Sequence, residues 1–307
     1  AKTTVVIAKS ALRFLAKHSP EFRFDDTIVV PDYEVGMKVW GYGADKPSAP
    51  GIVDESLALL EAHRGERSLL WLFHFDLHNW RELDRSYLGA AAARLGVPDE
   101  APLNWCYRVA AATVDEQLAR CLAGLDRLGL TDDTAVLFVS DHGEALGRDG
   151  FWMHSVFLWE SLVHVPLMIR VPGVAAATVD APVGHVDLFP TLAALLAPSA
   201  RPSKRHGEDL LTYARGPRKP RSFPLLLQSG RKDTLLRIGI VDAEARLKLV
   251  LPLEAAAAEL YDLRAADPDG AEISAQRRVD TMRLLDELVR SPWFPREDLQ
   301  PEAPAED

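Results

Sequence analysis

The sequence predicts an α/β protein with a doubly wound, mostly parallel sheet that has helices on both faces, followed by a small antiparallel part. Three observations support this prediction. Strand-like and helix-like segments alternate over the first 130 residues, which is the order typical of parallel sheets. Residues Val136–Val139 are continuously apolar, as expected for a strand that helices cover on both faces. Beyond residue 222, short strand-like segments follow one another with tight turns.

The first part of the chain contains two predicted strands and three predicted helices. The strands are Thr4–Ala8 and Leu69–Phe75, and the helices are Ser10–Lys17, Ile52–His63 and Arg81–Leu95. Gly65 follows the second helix and is a typical residue for a helix C-terminus. The stretch 32–50 is rich in Gly, Pro and aromatic residues, and we predict that it is a loop.

The longest predicted helix, Tyr107–Leu128, has apolar residues every three or four positions and precedes the predicted strand Thr134–Ser140. This order places Thr134–Ser140 at the centre of a parallel sheet. Beyond it the pattern predicts a helix near Val156–Leu162, a strand over Val165–Val171 and a short helix over Asp187–Leu196.

The C-terminal part differs in composition. Residues 199–222 are rich in Pro, Arg and Ser, which is typical of a surface connector. The predicted strands are Leu235–Asp242, Arg246–Leu251 and Glu259–Leu263, and the predicted closing helix is 271–290. We therefore predict three parts: an α/β domain over residues 1–222, a small antiparallel sheet plus helix over 223–294, and a flexible tail over 295–307.

Composition and charge exclude some classes of protein. The 307 residues carry a net charge of −10, which argues against a general surface for nucleic acid or anionic membrane. No apolar run approaches the ~18 residues that a membrane helix needs. Cys106 and Cys121 fall in one helical pattern, about 22 Å apart at ~1.5 Å per residue, so we expect no disulfide between them.

Residues that can bind a metal ion follow the strand Thr134–Ser140. Asp141 and His142 stand at its carboxyl end, the edge where ligands bind in open α/β sheets. A carboxylate and an imidazole suit a divalent metal, and Gly143 permits a close backbone approach or a positive φ. The same residues fit a capped turn with a partly buried histidine, and the tetrapeptide alone does not decide between the two.

Other histidines provide further candidates. His74 and His78 follow the strand Leu69–Phe75, where an imidazole can donate a hydrogen bond to an oxyanion. His154 follows a Gly-containing loop. Each of the three also fits an ordinary polar residue whose hydrogen bonds are satisfied.

Two acidic residues have alternative interpretations. Glu144 is either an outer-shell contact of a metal or a solvated side chain. Although His185 and Asp187 form a suggestive pair, Asp187 precedes a helix with Pro190 in its first turn, and we predict that it is the helix N-cap.

Five stretches occur in an order that carries a family resemblance. They are residues 107–147, ending in VLFVSDHGEALG; HFDLH at 74–78; FWMHSVFLWESLVHVPLMIRVPG at 151–173; GHVDLFPTLAALL at 184–196; and 237–270, with RLKLVLP and ELYDLRAADPDG. Together they resemble the sulfatase family of the alkaline phosphatase superfamily, over nearly all of residues 1–290. The resemblance implies an alkaline-phosphatase-like fold with a small C-terminal antiparallel subdomain.

The resemblance also implies a chemistry and a site. It implies metal-dependent hydrolysis of sulfate esters, as in arylsulfatases, with Asp141 and His142 as ligands of one divalent ion (Ca²⁺, Mn²⁺ or Zn²⁺). His78 and His154 would contact the sulfuryl or phosphoryl oxygens, or one of them would protonate the leaving group. The implied partner is a small-molecule or carbohydrate sulfate or phosphate ester, with no nucleic acid and no membrane span.

The sequence departs from the family pattern at several positions. Leu77 stands where Pro usually precedes the histidine, Asn79 and Trp80 follow it, and Ser155 stands where Gly is common. Many members have Asn at the position of His142; an imidazole there resembles the members that include phosphonate and phosphate ester hydrolases. It also shifts metal preference from Ca²⁺ toward Mn²⁺ or Zn²⁺.

The nucleophile is the largest departure. Family members carry two more metal-binding acids on their first strand and a nucleophile in a C/S-x-P-x-R motif, whose Cys or Ser is oxidised to formylglycine, or a Thr or Ser. The nearest string, Lys9–Arg13, lacks the proline and the spacing, and Cys106 lies in a predicted helix. We expect the nucleophile segment to lie upstream of Ala1 and the present chain to be inactive alone. The sequence leaves the localisation open.

Three alternatives to a sulfatase remain open at this stage. The first is a phosphodiester or phosphonate monoester hydrolase. The second is a phosphotransferase of the same superfamily. The third is a non-catalytic remnant that binds a metal ion without turnover.

Overall fold

The computed structural model describes residues 2–18, 23–30, 48–78, 80, 85–98, 102–197, 199, 207–215, 221, 225–231, 234–255, 257–292 and 294–295. The chain divides into two compact units, Ala1–Thr134 and Ala135–Asp307, and each is described by itself. The predicted loop 32–50, connector 199–222 and tail 295–307 lie largely outside the described residues. The domain boundary at residue 222 stays a prediction.

The first unit is a three-stranded parallel sheet with helices. Its strands have the order β2-β1-β3, and both pairings are parallel. The elements are β1 (Lys2–Ala8), α1 (Lys9–His18), β2 (Asp26–Val30), α2 (Ala49–Ala62), β3 (Ser68–Phe73), α3 (Arg85–Leu95) and α4 (Pro102–Arg127).

Helices cover both faces of the buried strand β1. Val5 and Ile7 pack with Ala11 of α1, whereas Val6 packs with Ile52 of α2. Alternate side chains of a strand point to opposite faces, so helices cover both faces of β1. This arrangement explains its continuous apolar run and confirms the predicted α/β layering for this unit.

Several sequence predictions for this unit are confirmed with shifted bounds. The helix predicted at Ile52–His63 begins three residues earlier, at Ala49, and Gly65 after it has φ +82°. Cys106 and Cys121 both lie on α4. β2 was not predicted, because its Asp-Thr-Ile-Val-Val sequence is short and half exposed.

The second unit begins with a strand pair whose orientation differs from the prediction. Its elements are β4 (Val136–Val139), α5 (Glu160–Val163), β5 (Leu167–Arg170), α6 (Leu188–Leu196), α7 (Leu211–Arg215), β6 (Leu225–Arg231), β7 (Thr234–Asp242), β8 (Leu247–Pro252), β9 (Glu259–Asp262) and α8 (Arg278–Arg290). Within the described residues β4 pairs with β5 alone, and the pairing is antiparallel. Residues 140–166 connect the two strands and contain only the single helical turn α5 among the α-helices.

The C-terminal sheet confirms the predicted antiparallel part. Four strands pair in the order β6-β7-β8-β9, and every pairing is antiparallel. α8 packs on the sheet through Leu284 and Leu288, against a core that includes Ile238, Leu249 and Leu260. The prediction missed β6, and the closing helix begins at Arg278 rather than near residue 271. None of the helices in the described ranges is both long and apolar enough to span a bilayer.

Candidate functional site

The Asp141–His142 turn follows directly from the end of β4. Ser140 Oγ donates to the carbonyl oxygen of His142 at 2.7 Å, and the His142 backbone N–H donates to Asp141 Oδ1 at 2.9 Å. These two bonds fold the chain sharply. The side chains of Asp141 and His142 are 74% and 43% exposed, so both can reach one ligand from solvent.

Gly143 fixes the far side of the turn through a close backbone approach. Its N–H donates to the carbonyl oxygen of Leu162 at 2.8 Å. A Cβ at this position would lie 2.0 Å from the carbonyl oxygen of Ser161, a distance that real Cβ atoms do not reach. Of the two reasons that the sequence allowed for this glycine, the structure supports the close approach.

We predict that Gly143→Ala displaces the turn. The new methyl group meets backbone rather than a flexible side chain, so the turn must move away from α5 and lose the bond to Leu162. We expect a loss of about 2 kcal/mol in unfolding free energy, within the range for core overpacking. Urea denaturation measures this loss, and Gly89→Ala is the control, since Gly89, like Gly143, has no positive φ and its Cβ would have nothing within 4 Å. Equal losses in the two variants would contradict the prediction.

The hydrogen bond of the His142 ring determines which nitrogen can bind a metal ion. Nδ1 lies 2.8 Å from the carbonyl oxygen of Gly143, and because a carbonyl only accepts, Nδ1 carries the hydrogen. In the neutral ring, Nε2 then presents its lone pair, 3.7 Å from Asp141 Oδ2. Two ligand bonds of about 2.1 Å each can meet at one ion across this gap.

The donor set fits part of a divalent metal site. Imidazole nitrogen and carboxylate oxygen are both ordinary ligands of Mn²⁺ and Zn²⁺, and a backbone carbonyl that fixes the other ring nitrogen is a common outer-shell contact. Within the described ranges, no three His, Cys, Asp or Glu side chains are arranged to hold a metal ion. Asp141 and His142 therefore supply two ligands and need others.

His154 lies beside His142. The centres of the two imidazole rings are 4.0 Å apart and the rings are tilted by 31°. His154 Nδ1 lies 3.5 Å from Glu144 Oε2, and the Glu144 side chain is only 9% exposed. Glu144 is therefore not a solvated side chain; it lies against the second histidine.

The loop that leads to His154 is strained. Leu146, Asp149 and Ser155 all have positive φ, at 51°, 47° and 84°, a region that favours glycine. The Ser155 value gives a physical reason why glycine would suit this position. Non-glycine residues held in such conformations cluster at functional loops.

The segment that follows His154 is bound by the C-terminal sheet of the same unit. The carbonyl oxygen of Val156 accepts bonds from Ser229 Oγ at 2.9 Å and from Arg237 Nη1 at 2.7 Å. Lys248 Nζ donates to the carbonyl oxygen of Leu158 at 2.8 Å. These bonds explain how a loop with strained backbone keeps one position.

Phe157 and Trp159 of this segment form a stack with two arginines. The two aromatic rings are parallel within 3° and 4.0 Å apart. Arg237 lies over Phe157 at 4.5 Å, and Arg148 lies over Trp159 at 5.5 Å. Because the guanidinium groups cover the outer ring faces, the stack is an anchor for the segment rather than an open platform for a ligand.

His78 belongs to the first unit. Its N–H donates to the carbonyl oxygen of Phe75 at 3.1 Å in a tight turn after β3, and its exposed ring stacks on Phe75 at 4.3 Å. An exposed imidazole at a strand's carboxyl end matches the prediction for this residue. Its convergence with His154 stays a prediction.

Asp76, in the same turn, has a structural role. Its buried carboxylate accepts bonds from the N–H of Ser48 at 2.7 Å, the hydroxyl of Ser48 at 2.8 Å and the N–H of Ala49 at 3.2 Å. It therefore ties the turn to the N-terminus of α2. Burial lowers the pKa of the neighbouring His74 imidazole, although the Asp76 charge acts in the opposite direction. The lowered pKa favours the neutral form of the half-buried His74.

Asp187 stands at the N-cap position of α6, as predicted, but its side chain does not act as the cap. No cap bond forms; instead its fully buried carboxylate accepts from the N–H of Gly184 and of Glu208, both at 2.8 Å. Arg221 adds two bonds at 2.9 and 2.8 Å. The acid was taken for a cap because the sequence does not reveal Arg221, 34 residues away, as its counter-charge.

The amino-acid sequence is similar to those of known sulfatases. The Sulfatase family model matches residues 6–198. Over 232 residues the chain is 30% identical to mouse steryl-sulfatase, which covers 68% of this chain and 35% of that protein. The chain spans about a third or less of the length of the curated relatives it matches.

Solved structures agree on the fold. A phosphonate monoester hydrolase of Agrobacterium radiobacter superposes with a TM-score of 0.68 at 17% identity, covering 94% of this chain and 77% of that one. BT4656, solved with its substrate D-glucosamine-2-N,6-O-disulfate, gives 0.64 at 17% identity, over 94% and 79%. The fold is thus alkaline-phosphatase-like. The chain belongs to the sulfatase family, whose members generally use a divalent metal ion.

Proposed function

We propose that this chain is the C-terminal part of a metal-dependent hydrolase of sulfate esters. The observation that carries the proposal is the Asp141–His142 pair: Oδ2 and Nε2 lie 3.7 Å apart at the end of β4, and the ring of His154 lies against His142. Membership of the sulfatase family supports the reaction class.

Asp141 and His142 would hold one divalent ion, Mn²⁺ or Zn²⁺ in preference to Ca²⁺ because one ligand is an imidazole. The ion, when bound, lowers the pKa of a nucleophile and stabilises charge on the transferring group. The Gly143 carbonyl keeps the hydrogen on His142 Nδ1, so that Nε2 stays available to bind.

His154 and His78 would contact the substrate. Glu144 lies beside His154 Nδ1 and favours a hydrogen on that nitrogen. When Nε2 also carries a hydrogen, the imidazole ring is positively charged. His154 can then donate from Nε2 to a sulfuryl oxygen. His78 has an exposed ring and can bind a second oxygen or protonate the leaving alcohol oxygen as the S–O bond breaks.

The nucleophile would come from a segment upstream of this chain. It would attack sulfur and displace the alcohol, and a water molecule would then release sulfate. We therefore propose that the 307 residues alone bind metal without turnover.

A phosphonate monoester or phosphodiester hydrolase is the second candidate. Two observations favour it: an imidazole follows the metal-binding aspartate, and the phosphonate monoester hydrolase has a TM-score of 0.68. A phosphotransferase would use the same residues with an acceptor other than water. For the sulfatase proposal, the BT4656 complex suggests a sulfated carbohydrate as the ester.

The test has two steps. The first is to determine the sequence of the source gene upstream of Ala1. An acid-rich strand followed by C/S-x-P-x-R supports the sulfatase; a Thr or Ser outside that motif supports the phosphoester hydrolase. The protein with its native upstream sequence is then assayed on p-nitrophenyl sulfate and on a p-nitrophenyl phosphonate ester. We expect faster turnover of the sulfate. A start codon at Ala1 with nothing before it, or no hydrolysis of either ester, overturns the enzyme and leaves a metal-binding remnant.

A further inference from the structure

We propose that His185 is a positioning residue that holds the Asp141–His142 turn in its metal-binding geometry; this inference rests on the proposed function. His185 Nε2 lies 2.7 Å from the carbonyl oxygen of Ser140. Because the carbonyl only accepts, Nε2 carries the hydrogen and donates it. Ser140 is the residue immediately before Asp141, so the bond acts on the backbone that carries the carboxylate.

His185 is itself held by a buried anchor. It begins a single 3-10 turn, His185–Asp187, and Asp187 at the end of that turn is 0% exposed. The carboxylate of Asp187 receives four hydrogen bonds, two from backbone N–H groups and two from Arg221. A Cβ on Gly207 would lie 2.1 Å from the carbonyl oxygen of Val186, so a second chain segment packs directly against this 3-10 turn.

The metal-binding turn is thereby fixed from two sides. Gly143 N–H bonds to Leu162 on the far side at 2.8 Å, and His185 bonds to Ser140 on the near side. Between these two points the turn is closed only by short local bonds, such as that of Ser140 Oγ to the His142 carbonyl. Without His185, the near side is free to move, and Asp141 Oδ2 loses its fixed distance from His142 Nε2.

The contact explains a sequence motif that the proposed chemistry does not use. His185 donates to a backbone carbonyl and makes no contact with Asp141 or His142 side-chain atoms among the described hydrogen bonds and ion pairs. Its effect on metal affinity therefore passes through the backbone. Outer-shell groups that orient ligands commonly act in this way.

Two variants separate the hydrogen bond from the presence of a histidine. His185→Leu removes the donor, whereas His185→Gln places an amide N–H near the position of Nε2. Two readouts are taken on the 307-residue chain: Mn²⁺ affinity by electron paramagnetic resonance, and backbone amide exchange in residues 139–144 without metal. Melting temperatures without metal show whether each variant folds.

We expect His185→Leu to weaken Mn²⁺ binding about tenfold, the lower end of the range for loss of an outer-shell group. It should also speed amide exchange in residues 139–144, and His185→Gln should restore both. Unchanged exchange in His185→Leu overturns the inference, as does equal loss in the two variants when both fold. If the unmodified chain binds no Mn²⁺, the proposed metal function fails, while the exchange data still decide whether His185 holds the turn.

Discussion

Replacing Lys248 with methionine lowers the free energy of unfolding of the 135–307 unit by about 3–5 kcal/mol, the usual cost of removing one member of a buried ion pair. Lys248 Nζ lies 2.7 Å from Glu160 Oε1 and 2.8 Å from Asp269 Oδ1. Its side chain is 1% exposed and that of Asp269 is 3% exposed. Methionine leaves the buried Asp269 carboxylate with only the more distant Arg148, whose Nη1 lies 3.9 Å from Oδ2, as a described counter-charge.

Urea denaturation followed by circular dichroism measures the loss, with Arg290→Met as the matched control. Arg290 pairs with Asp286 on the surface of α8, where both side chains are more than half exposed. Such pairs contribute about 0.3–0.5 kcal/mol, so the control should change little. A loss below about 1 kcal/mol for Lys248→Met, on the same scale as that of a surface pair, would show that the buried network does not stabilise this unit.

Asp141→Ala should weaken Mn²⁺ binding by about 100-fold or more, because loss of a ligand costs at least as much as loss of an outer-shell group. It removes the only carboxylate of the proposed pair and leaves His142 Nε2 as a single neutral ligand. The side chain is 74% exposed, so its removal creates no cavity. The melting temperature without metal should therefore stay within a degree or two of the original.

Electron paramagnetic resonance of free Mn²⁺ measures the affinity, and Asp180→Ala is the control. Asp180 is an exposed acid of the same unit, so its loss removes the same charge away from the turn. Equal weakening in the two variants would mean that Mn²⁺ binds by general charge attraction. That result would remove Asp141 from the proposed site.

The sequence predicted the layered part of the fold well because burial on two faces leaves a visible pattern. Val5, Val6 and Ile7 are apolar without interruption, and the structure places helices on both sides of them. The C-terminal hairpin was predicted for a different reason, because only a short turn separates its two strands. β6 was missed because its sequence, LLLQSGR, becomes polar halfway.

Strand direction could not be predicted for β4. A four-residue apolar run is compatible with parallel and antiparallel pairing, and hydrophobic periodicity carries no information about orientation. The connection to β5, residues 140–166, is long enough for either direction, so its length does not reveal the pairing. The helix in this connection is the single turn Glu160–Val163, shorter than the predicted helix near Val156–Leu162.

The candidate site was predictable where chemistry and position coincide. Asp141 and His142 follow a strand directly, and residue type alone suggested metal binding. The contacts of Glu144 with His154 and of His185 with Ser140 were not predictable, because they depend on how loops return to the strand end. His185 and Ser140 are 45 residues apart, and one sequence without relatives gives no measure of such proximity.

The anchoring of residues 156–160 by the C-terminal sheet has a consequence for biosynthesis. Asp269, whose carboxylate accepts the backbone N–H of Glu160 at 2.6 Å, is translated about 115 residues after His154, a delay of roughly 6–23 seconds at the usual rate of chain growth. During that interval Ser229, Arg237 and Lys248 are added one after another, and all four anchoring residues are present only at its end. The segment after His154 therefore forms these hydrogen bonds late in synthesis. A chain that ends before Leu225 never forms them.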